Sequence, residues 1–220
     1  MTRLLHIQCS PRKQRSASLE VARSFIAAYQ QQRPDTEVVT LDLWAMALPE
    51  FDQVAMDAKY AGLNGNRRSA AEDSAWGLLQ SLAQPLHDAD LLLFSVPLWN
   101  YGIPYKLKHF IDLVSQKDIL FSFSAERGIE GLLQDKTAVL AYARGLDFSA
   151  QSATPAALFD FQRPYMEAWL RLVGVTDLHG LVVEKTLLGD ALDRTARHSA
   201  NQQAWELAKR LQPCSRPVFL

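Results

Sequence analysis

The chain has little cysteine and almost no excess charge of either sign. Its 220 residues include two cysteines, Cys9 and Cys214, which are too few for a disulfide framework or a cysteine metal cluster. This low content fits a reducing cytoplasm. The formal net charge of -1 argues against a general nucleic-acid binder, which needs a strong basic excess. We therefore expect neither a metal centre nor a nucleic-acid partner.

Long hydrophobic runs are also missing. The longest, Ala89–Leu98, is interrupted by Asp90 and is far too short to span a bilayer. The first ten residues lead directly into a predicted strand, with no small-residue cleavage site behind it. We therefore expect a cytoplasmic protein with no membrane segment. With 48% hydrophobic and 21% charged residues, residues 1–220 have the composition of one globular domain.

Apolar segments alternate with helical patterns along the chain. The predicted strands are Arg3–Cys9, Val38–Leu41, Leu91–Val96, Lys136–Tyr142 and Leu178–Glu184. The predicted helices begin near residues 16–18 and at Ser74, Pro104, Pro164 and Asp190, the last of which is the expected N-cap. This alternation is typical of a doubly wound α/β fold. We predict a flavodoxin-like, five-stranded parallel sheet with strand order 2-1-3-4-5.

Two stretches lie outside this alternation. Ile119–Ser124 alternates apolar and polar residues and predicts half of a hairpin that closes near Gly128–Gly131. Leu43–Asn66 is predicted to be irregular, with a short helix around Val54–Tyr60. An irregular segment this long is usually functional or mobile, and the sequence leaves its role open.

The segment Ser10–Ser18, which we call the serine loop, joins the first strand to a helix start. It combines three serines with three cationic residues in the order SPRKQRSAS. A helix start offers unpaired amides and a positive dipole end, and serine hydroxyls add donors, so the loop suits a phosphate group. The alternative is that Ser16 or Ser18 only caps the helix. Neither GxGxxG nor GxxxxGK[ST] is present, so no dinucleotide or nucleotide-triphosphate loop is indicated.

The segment Pro97–Gly102, which we call the Trp99 turn, follows the third strand. Gly102 is predicted to permit a tight turn, and Pro104 suits the start of the next helix. In the predicted strand order the switch point lies between the first and third strands, where such sheets bind ligands. The serine loop and the Trp99 turn follow those two strands. The alternative is an ordinary loop after a buried strand.

The sequence resembles the FMN-dependent NADH azoreductases, which belong to the flavodoxin-like NAD(P)H:quinone oxidoreductases. The main motifs are SPRxxxSxS at residues 10–18, PLWNY at 97–101 and ARG at 143–145. Further matches are KxxxDLV at 108–114, FxF at 121–123, EGL at 130–132 and PYxxxWLxxxG at 164–174. Any one motif is weak, but the set follows the family's order over most of the chain.

The resemblance implies non-covalently bound FMN, with NADH or NADPH as electron donor. The residues implied for FMN are Ser10, Ser16, Ala17 and Ser18 at the phosphate, Pro97, Leu98, Trp99, Asn100 and Tyr101 along the isoalloxazine ring, and Ala143, Arg144, Gly145 and Leu146 at its pyrimidine side. We call residues 143–146 the Arg144 segment. The resemblance also implies a substrate pocket that forms across a homodimer interface; its expected aromatic residues are Phe121, Phe123, Phe148 and Trp169.

Two positions depart from the family pattern. Leu146 stands where the family usually has a second glycine, so the backbone approaches the ligand less closely there. Phe148 stands where some relatives carry histidine or tyrosine, so no proton donor is expected at that position. For Phe121, Phe123 and Trp169 the alternative is a place in the core, where aromatic residues of apolar patterns usually lie.

The resemblance implies a ping-pong oxidoreductase. NAD(P)H gives a hydride to FMN N5, and a quinone or azo compound then takes the electrons. The cofactor performs the chemistry, so no catalytic side chain is expected. Two alternatives remain open: a flavodoxin-like one-electron transfer protein, and a flavin-free binding or regulatory protein on the same fold.

Overall fold

The structure is a computed structural model that describes residues 1–212, so the predictions about Cys214 lie outside the described residues. In chain order the elements are β1 (Arg3–Gln8), α1 (Ala17–Gln32), β2 (Glu37–Asp42), α2 (Gln53–Leu63), α3 (Ala70–Asp88), β3 (Leu91–Pro97), α4 (Tyr105–Val114), β4 (Phe121–Ser124), β5 (Gly128–Gly131), β6 (Thr137–Ala143), α5 (Ala156–Phe159), α6 (Gln162–Leu172), β7 (Asp177–Val183) and α7 (Asp190–Arg210). A short 3-10 turn, Lys13–Arg15, precedes α1.

Five parallel strands form the main sheet in the order β2-β1-β3-β6-β7. Because β4 and β5 form a separate antiparallel hairpin, this order is equivalent to 2-1-3-4-5, and the predicted fold is confirmed. At the carboxyl edge, Gln8 of β1 pairs with Ser95 of β3, and Ser95 pairs with Ala141 of β6. The segments that follow β1, β3 and β6 therefore leave the sheet side by side.

Helices cover both faces of the sheet. Strand β3 is buried almost throughout, as expected for a parallel strand between two helical layers. Leu92, Phe94 and Val96 pack on one side with α3, α4 and α6. Leu91 and Leu93 pack on the other side with α1 and α7. Apolar side chains point alternately to the two layers, so one strand serves two cores.

The smaller predicted features agree in part with the structure. The hairpin is present, with Phe121 opposite Gly131, and the long irregular segment contains the helix α2. The prediction that Asp190 caps the last helix is wrong: Gly189 occupies the N-cap position with a φ of 105°, and Asp190 is the first helical residue. Glycine adopts this left-handed conformation without a steric penalty, and the Asp190 charge still faces the positive end of the helix. No helix within residues 1–212 is long and apolar enough to cross a membrane.

Candidate functional site

The serine loop carries three buried hydroxyl groups, two of which lie at the start of α1. Ser10, Ser16 and Ser18 are all 3% exposed or less. The hydroxyl oxygens of Ser16 and Ser18 lie 3.1 Å apart, and Ser16 also caps α1 by accepting the Leu19 N–H at 3.4 Å. The capping role weighed as the alternative is therefore real for Ser16. It coexists with a cluster of hydroxyls beside the positive end of a helix.

A basic side chain anchors the serine loop to β2. The Lys13 ammonium donates to the Asp42 carboxylate at the end of that strand. Burial raises the pKa of Asp42, but hydrogen bonds from Lys13 and from the Trp44 amide outweigh it and hold the pKa below its usual value. Arg12 and Arg15 stay exposed. The loop thus carries two cations at its surface and a third that fixes its position.

The Trp99 turn is built differently from the prediction. Its positive φ angles belong to Asn100 (47°) and Tyr101 (67°), not to Gly102. The Trp99 N–H donates to the Gly102 carbonyl at 3.1 Å, and the Gly102 N–H donates to the Trp99 carbonyl at 2.8 Å. Two left-handed residues between such a pair are typical of a tight hairpin turn. The prediction that Gly102 provides the freedom to turn is wrong, because the bend falls one and two residues earlier.

Tyrosine rarely adopts a left-handed conformation, so the surroundings must hold Tyr101 in place. Its ring lies 5.0 Å from the ring of Phe159, and its carbonyl accepts the Phe161 N–H at 2.9 Å. At the other end of the turn, the Leu98 N–H donates to the Ala143 carbonyl at 2.8 Å. The turn is therefore fixed both to the end of β6 and to the segment before α6.

Trp44 connects the serine loop with the Trp99 turn, and the sequence analysis missed it. Its indole N–H donates to the Cys9 carbonyl at 3.0 Å, and its ring lies 5.6 Å from Trp99 and 5.4 Å from Tyr105. Trp44 comes two residues after β2, which neighbours β1 in the sheet. That position at a strand end was the signal that could have identified it.

An open cleft of about 880 Å³ lies beside the Trp99 turn. Its walls include Trp99, Tyr105, Lys108, His109, Phe161 and Tyr165. None of the three serines of the serine loop lines it, so the cleft and the hydroxyl cluster are separate features that meet through the Trp99 turn and Trp44. Aromatic walls with a few polar groups suit a flat organic ligand.

The Arg144 side chain is engaged within the protein. It is 4% exposed and forms ion pairs with Asp160 and, at 2.9 Å, with Glu184. Its Nε–H donates to Gln162 at 3.2 Å, and its guanidinium lies 5.1 Å from the centre of the Phe148 ring. These contacts direct the guanidinium into the protein. Any contact of Arg144 with a ligand therefore belongs to its backbone.

Backbone hydrogen bonds cover the carbonyl side of the Arg144 segment. The carbonyls of Arg144, Gly145 and Leu146 accept N–H groups from residues 186, 187 and 185, at 3.3, 3.0 and 3.1 Å respectively. Leu187 also packs over Gly145, where a Cβ atom would lie 2.5 Å from the Leu187 Cδ1 atom. A side chain at position 145 would displace the exposed Leu187 side chain, a residue that the sequence analysis did not single out.

The four aromatic residues predicted for the substrate pocket lie in different surroundings. Trp169 is in the core: it is 5% exposed, its indole N–H donates to Ser115 at 2.9 Å, and its ring lies edge-on to Phe94. Phe148 is also 5% exposed, beneath Arg144. Phe121 and Phe123 lie on the hairpin, where Phe123 is 56% exposed. In this chain Trp169 and Phe148 are buried, and the two hairpin residues are the more accessible.

Burial shifts the protonation of two groups near the carboxyl edge. Burial raises the pKa of the Cys9 thiol, so it stays protonated. Burial also lowers the pKa of His6 to about 4, and its Nε2 atom lies 2.6 Å from the Ser95 hydroxyl. Cys9 is therefore a buried residue at a strand end, as predicted, and His6 is a neutral structural residue.

The described residues fit FMN. Neutral hydroxyls, the start of α1 and exposed Arg12 and Arg15 suit a phosphate monoester, and the loop itself contains no carboxylate to repel it. The Trp99 turn adds backbone groups and a flat indole on the neighbouring strand. A segment suited to a phosphate and a segment suited to a flat ring thus follow adjacent strands, as a flavin mononucleotide requires.

Comparison with known proteins agrees with this fit. Residues 2–208 match the family model described as flavodoxin-like fold. The chain is 64% identical over 211 residues to FMN-dependent NADH:quinone oxidoreductase 3 of Pseudomonas fluorescens, covering 96% of this chain and 98% of that protein. It is 54% identical over 190 residues to FMN-dependent NADH:quinone oxidoreductase 9 of Burkholderia lata, covering 86% of this chain and 90% of that protein.

Solved structures show the same architecture. An azoreductase from Bacillus anthracis superimposes with a TM-score of 0.85 at 25% identity, covering 96% of this chain and 100% of that chain. An FMN-dependent NADH-azoreductase from the same species, solved in complex with FMN, shares the fold with a TM-score of 0.79 at 21% identity, covering 94% and 100%. Fold and site together define a flavodoxin-like protein. Within that class, the chain belongs to the FMN-dependent NADH:quinone oxidoreductase family.

Proposed function

We propose that this chain is an FMN-dependent oxidoreductase that transfers two electrons from NADH to quinones or azo compounds. The observation that carries the proposal is the placement of the serine loop and the Trp99 turn on the neighbouring strands β1 and β3. Relatives named NADH:quinone oxidoreductases and a structural neighbour named azoreductase support the donor and the acceptor class.

The FMN phosphate would be held at the serine loop. The buried hydroxyls of Ser10, Ser16 and Ser18 would donate to its oxygens, and the first amides of α1, including that of Ala17, would add the dipole of the helix. The exposed Arg12 and Arg15 attract the dianion from solvent. Lys13 keeps the loop in position through Asp42.

The FMN ring would be held mainly by backbone groups. The residues in question are Pro97, Leu98, Trp99, Asn100 and Tyr101 of the Trp99 turn and the Arg144 segment, which the Leu98–Ala143 hydrogen bond ties together. Amides fixed in this way stabilise negative charge without reorganising. When bound, FMN supplies the two-electron chemistry, so the protein needs no nucleophile or acid–base pair of its own.

The cleft beside the Trp99 turn would admit the flat acceptor. Trp99, Tyr105 and Phe161 present aromatic surface to it, and Tyr105 and Phe161 are 61% and 62% exposed. Aromatic faces bind quinone and azo compounds by stacking, with little discrimination between the two. This arrangement favours a broad acceptor range.

We also propose that residues 1–220 act as one FMN-binding domain in a cytoplasmic homodimer. Phe123 and Ile129 lie opposite each other on the hairpin and are 56% and 54% exposed. Exposed apolar pairs of this kind often mark a subunit interface. Analytical ultracentrifugation tests the dimer, and a Phe123→Glu variant that becomes monomeric would assign the hairpin to the interface.

Reconstitution and turnover test the function. FMN is added to the apoprotein, excess is removed, and the bound flavin is measured by its visible absorbance. The holoprotein should then oxidise NADH with a benzoquinone and with an azo dye, transferring two electrons per NADH. Protein that retains no FMN, or retains FMN but oxidises no NADH with any acceptor, would refute the proposal. Parallel assays with NADPH measure the donor preference.

A further inference from the structure

Gln162 is a buried polar residue whose amide bonds to two different parts of the carboxyl edge. It is 0% exposed at the start of α6. Its Nε2–H donates to the Val96 carbonyl at 2.8 Å, near the end of β3. Its Oε1 accepts the Arg144 Nε–H at 3.2 Å, at the end of β6. One side chain thus bonds the Arg144 segment and the residue of β3 that immediately precedes the Trp99 turn.

The partners of Gln162 are held firmly in turn. Arg144 is fixed by ion pairs with Asp160 and Glu184. Its guanidinium is therefore held rigidly, with the Nε–H directed at the Gln162 Oε1 atom. Val96 immediately precedes Pro97, the first residue of the Trp99 turn. The chain of bonds therefore runs from the end of β3, beside the Trp99 turn, through Gln162 to Arg144 and on to Glu184 after β7.

We propose that Gln162 is a positioning residue that sets the spacing between the Trp99 turn and the Arg144 segment, and thereby the orientation of the flavin ring. The inference rests on the proposed function, since it concerns how the FMN-binding segments are held. Gln162 acts through Val96 and Arg144 and touches no reacting atom.

The physical reason is the cost of leaving buried polar groups without partners. Removing the Gln162 amide takes one donor from the Val96 carbonyl and takes the acceptor from the buried Arg144 Nε–H, and a buried donor without an acceptor is unfavourable. The two segments relieve this cost by moving, and the ring site between them loses its preorganised geometry. The affinity for FMN then falls, and the environment of the bound flavin ring changes with it.

The test compares Gln162→Leu with a matched control, Gln116→Leu. Gln116 is also a buried glutamine, 3% exposed, but its Nε2–H donates at 2.7 Å to the Asp112 carbonyl four residues earlier. Both variants lose a buried amide, so both lose stability in urea unfolding. We expect only Gln162→Leu to weaken FMN binding, about tenfold or more, and to change the visible circular dichroism of bound FMN.

The measurements separate this inference from the proposed function. FMN affinity is measured by quenching of flavin fluorescence on titration with apoprotein, and steady-state assays give kcat and KM for NADH. If Gln162→Leu keeps the native FMN affinity and dichroism, or changes them no more than Gln116→Leu does, the inference is overturned. If the unmodified chain binds no FMN, the proposed function fails instead.

A second variant keeps the test decisive if Gln162→Leu does not fold. Gln162→Asn retains a polar amide but is one methylene shorter, so it cannot span both the Val96 carbonyl and the Arg144 Nε–H. We expect an intermediate loss of FMN affinity with most of the stability retained. Native affinity and native dichroism in this variant would equally overturn the inference.

Discussion

The indole N–H of Trp44 donates to the carbonyl of Cys9 at 3.0 Å, which joins the segment after β2 to the start of the serine loop. The same indole ring packs 5.6 Å from Trp99. Trp44 is therefore the direct link between the proposed phosphate site and the proposed ring site. This link supplies the first of four predictions.

Replacing Trp44 with phenylalanine should weaken FMN binding severalfold and lower the free energy of unfolding by about 1 kcal/mol. Phenylalanine keeps an aromatic ring beside Trp99 but loses the N–H donor, so the Cys9 carbonyl is left without this partner. Fluorescence titration and urea unfolding measure the two effects. Trp205→Phe, on α7 in the other helical layer, is the control and should leave FMN affinity unchanged. Equal affinities in the two variants would contradict the link.

Replacing Ser16 with aspartate should weaken FMN binding at least tenfold while α1 stays intact. Aspartate is as good an N-cap as serine, so the hydrogen bond to Leu19 survives, but its charge repels the phosphate. The matched control is Ser69→Asp, at the N-cap of α3. Ser69→Asp, at an exposed position, should unfold close to the native midpoint, whereas Ser16→Asp should lose some stability because its carboxylate is buried. A Ser16→Asp variant that binds FMN normally would remove the serine loop from the phosphate site.

The buried His6 should make the protein less stable in mild acid. Burial lowers its pKa from 6.5 to about 4, with the charge of Arg23 acting in the same direction. Between these values the unfolded chain binds a proton that the folded chain does not. Neutral His6 therefore makes its full contribution to the free energy of unfolding above about pH 6.5. This contribution is lost as the pH falls toward 4, at up to about 1.4 kcal/mol per pH unit.

The variant His6→Asn removes this titration. Its free energy of unfolding in urea should change less between about pH 7 and about pH 5 than that of the native chain. The same pH dependence in His6→Asn and in the native chain would show that His6 is not the responsible group.

Replacing Gly131 with alanine should destabilise the fold by more than about 2 kcal/mol. A Cβ atom there would lie 2.0 Å from the Gly174 nitrogen and 2.1 Å from the Val173 carbonyl carbon, both of which belong to backbone that cannot rotate away. The control is Gly77→Ala within α3, where a Cβ atom meets nothing within 4 Å. That variant should be more stable than the native chain by up to about 1 kcal/mol. Urea unfolding distinguishes the two, and a tolerated Gly131→Ala would contradict the close approach.

The predicted strands and their order agree with the structure because both depend on local pattern and on chain connectivity. The run Leu91–Val96 is apolar at every residue except Ser95, as expected for a strand covered on two faces. Right-handed crossovers then leave few possible strand orders. Helix boundaries were less predictable: α3 begins at Ala70, not Ser74, because Ser69 and Glu72 form a capping box upstream of the apolar pattern.

The segments proposed to bind FMN were predictable for a related reason. The serine loop and the Trp99 turn are each contiguous in the sequence, so their residue types can be recognised without knowing the fold. The exact turn was not predictable. Its left-handed residues are Asn100 and Tyr101, and the unusual conformation of Tyr101 depends on contacts with Phe159 and Phe161.

By itself, the sequence determined the α/β fold, its strand order and the two segments at the switch point. Each of these features follows from short-range patterns of apolar, serine and turn residues. Only the tertiary structure decided how those segments are held. Trp44 reaches Cys9 across 35 positions, and Gln162 reaches Val96 across 66. The tertiary structure also directs the Arg144 side chain inward, to Asp160 and Glu184. Such pairings depend on which distant side chains come into contact when the chain folds, and no local sequence pattern specifies these contacts.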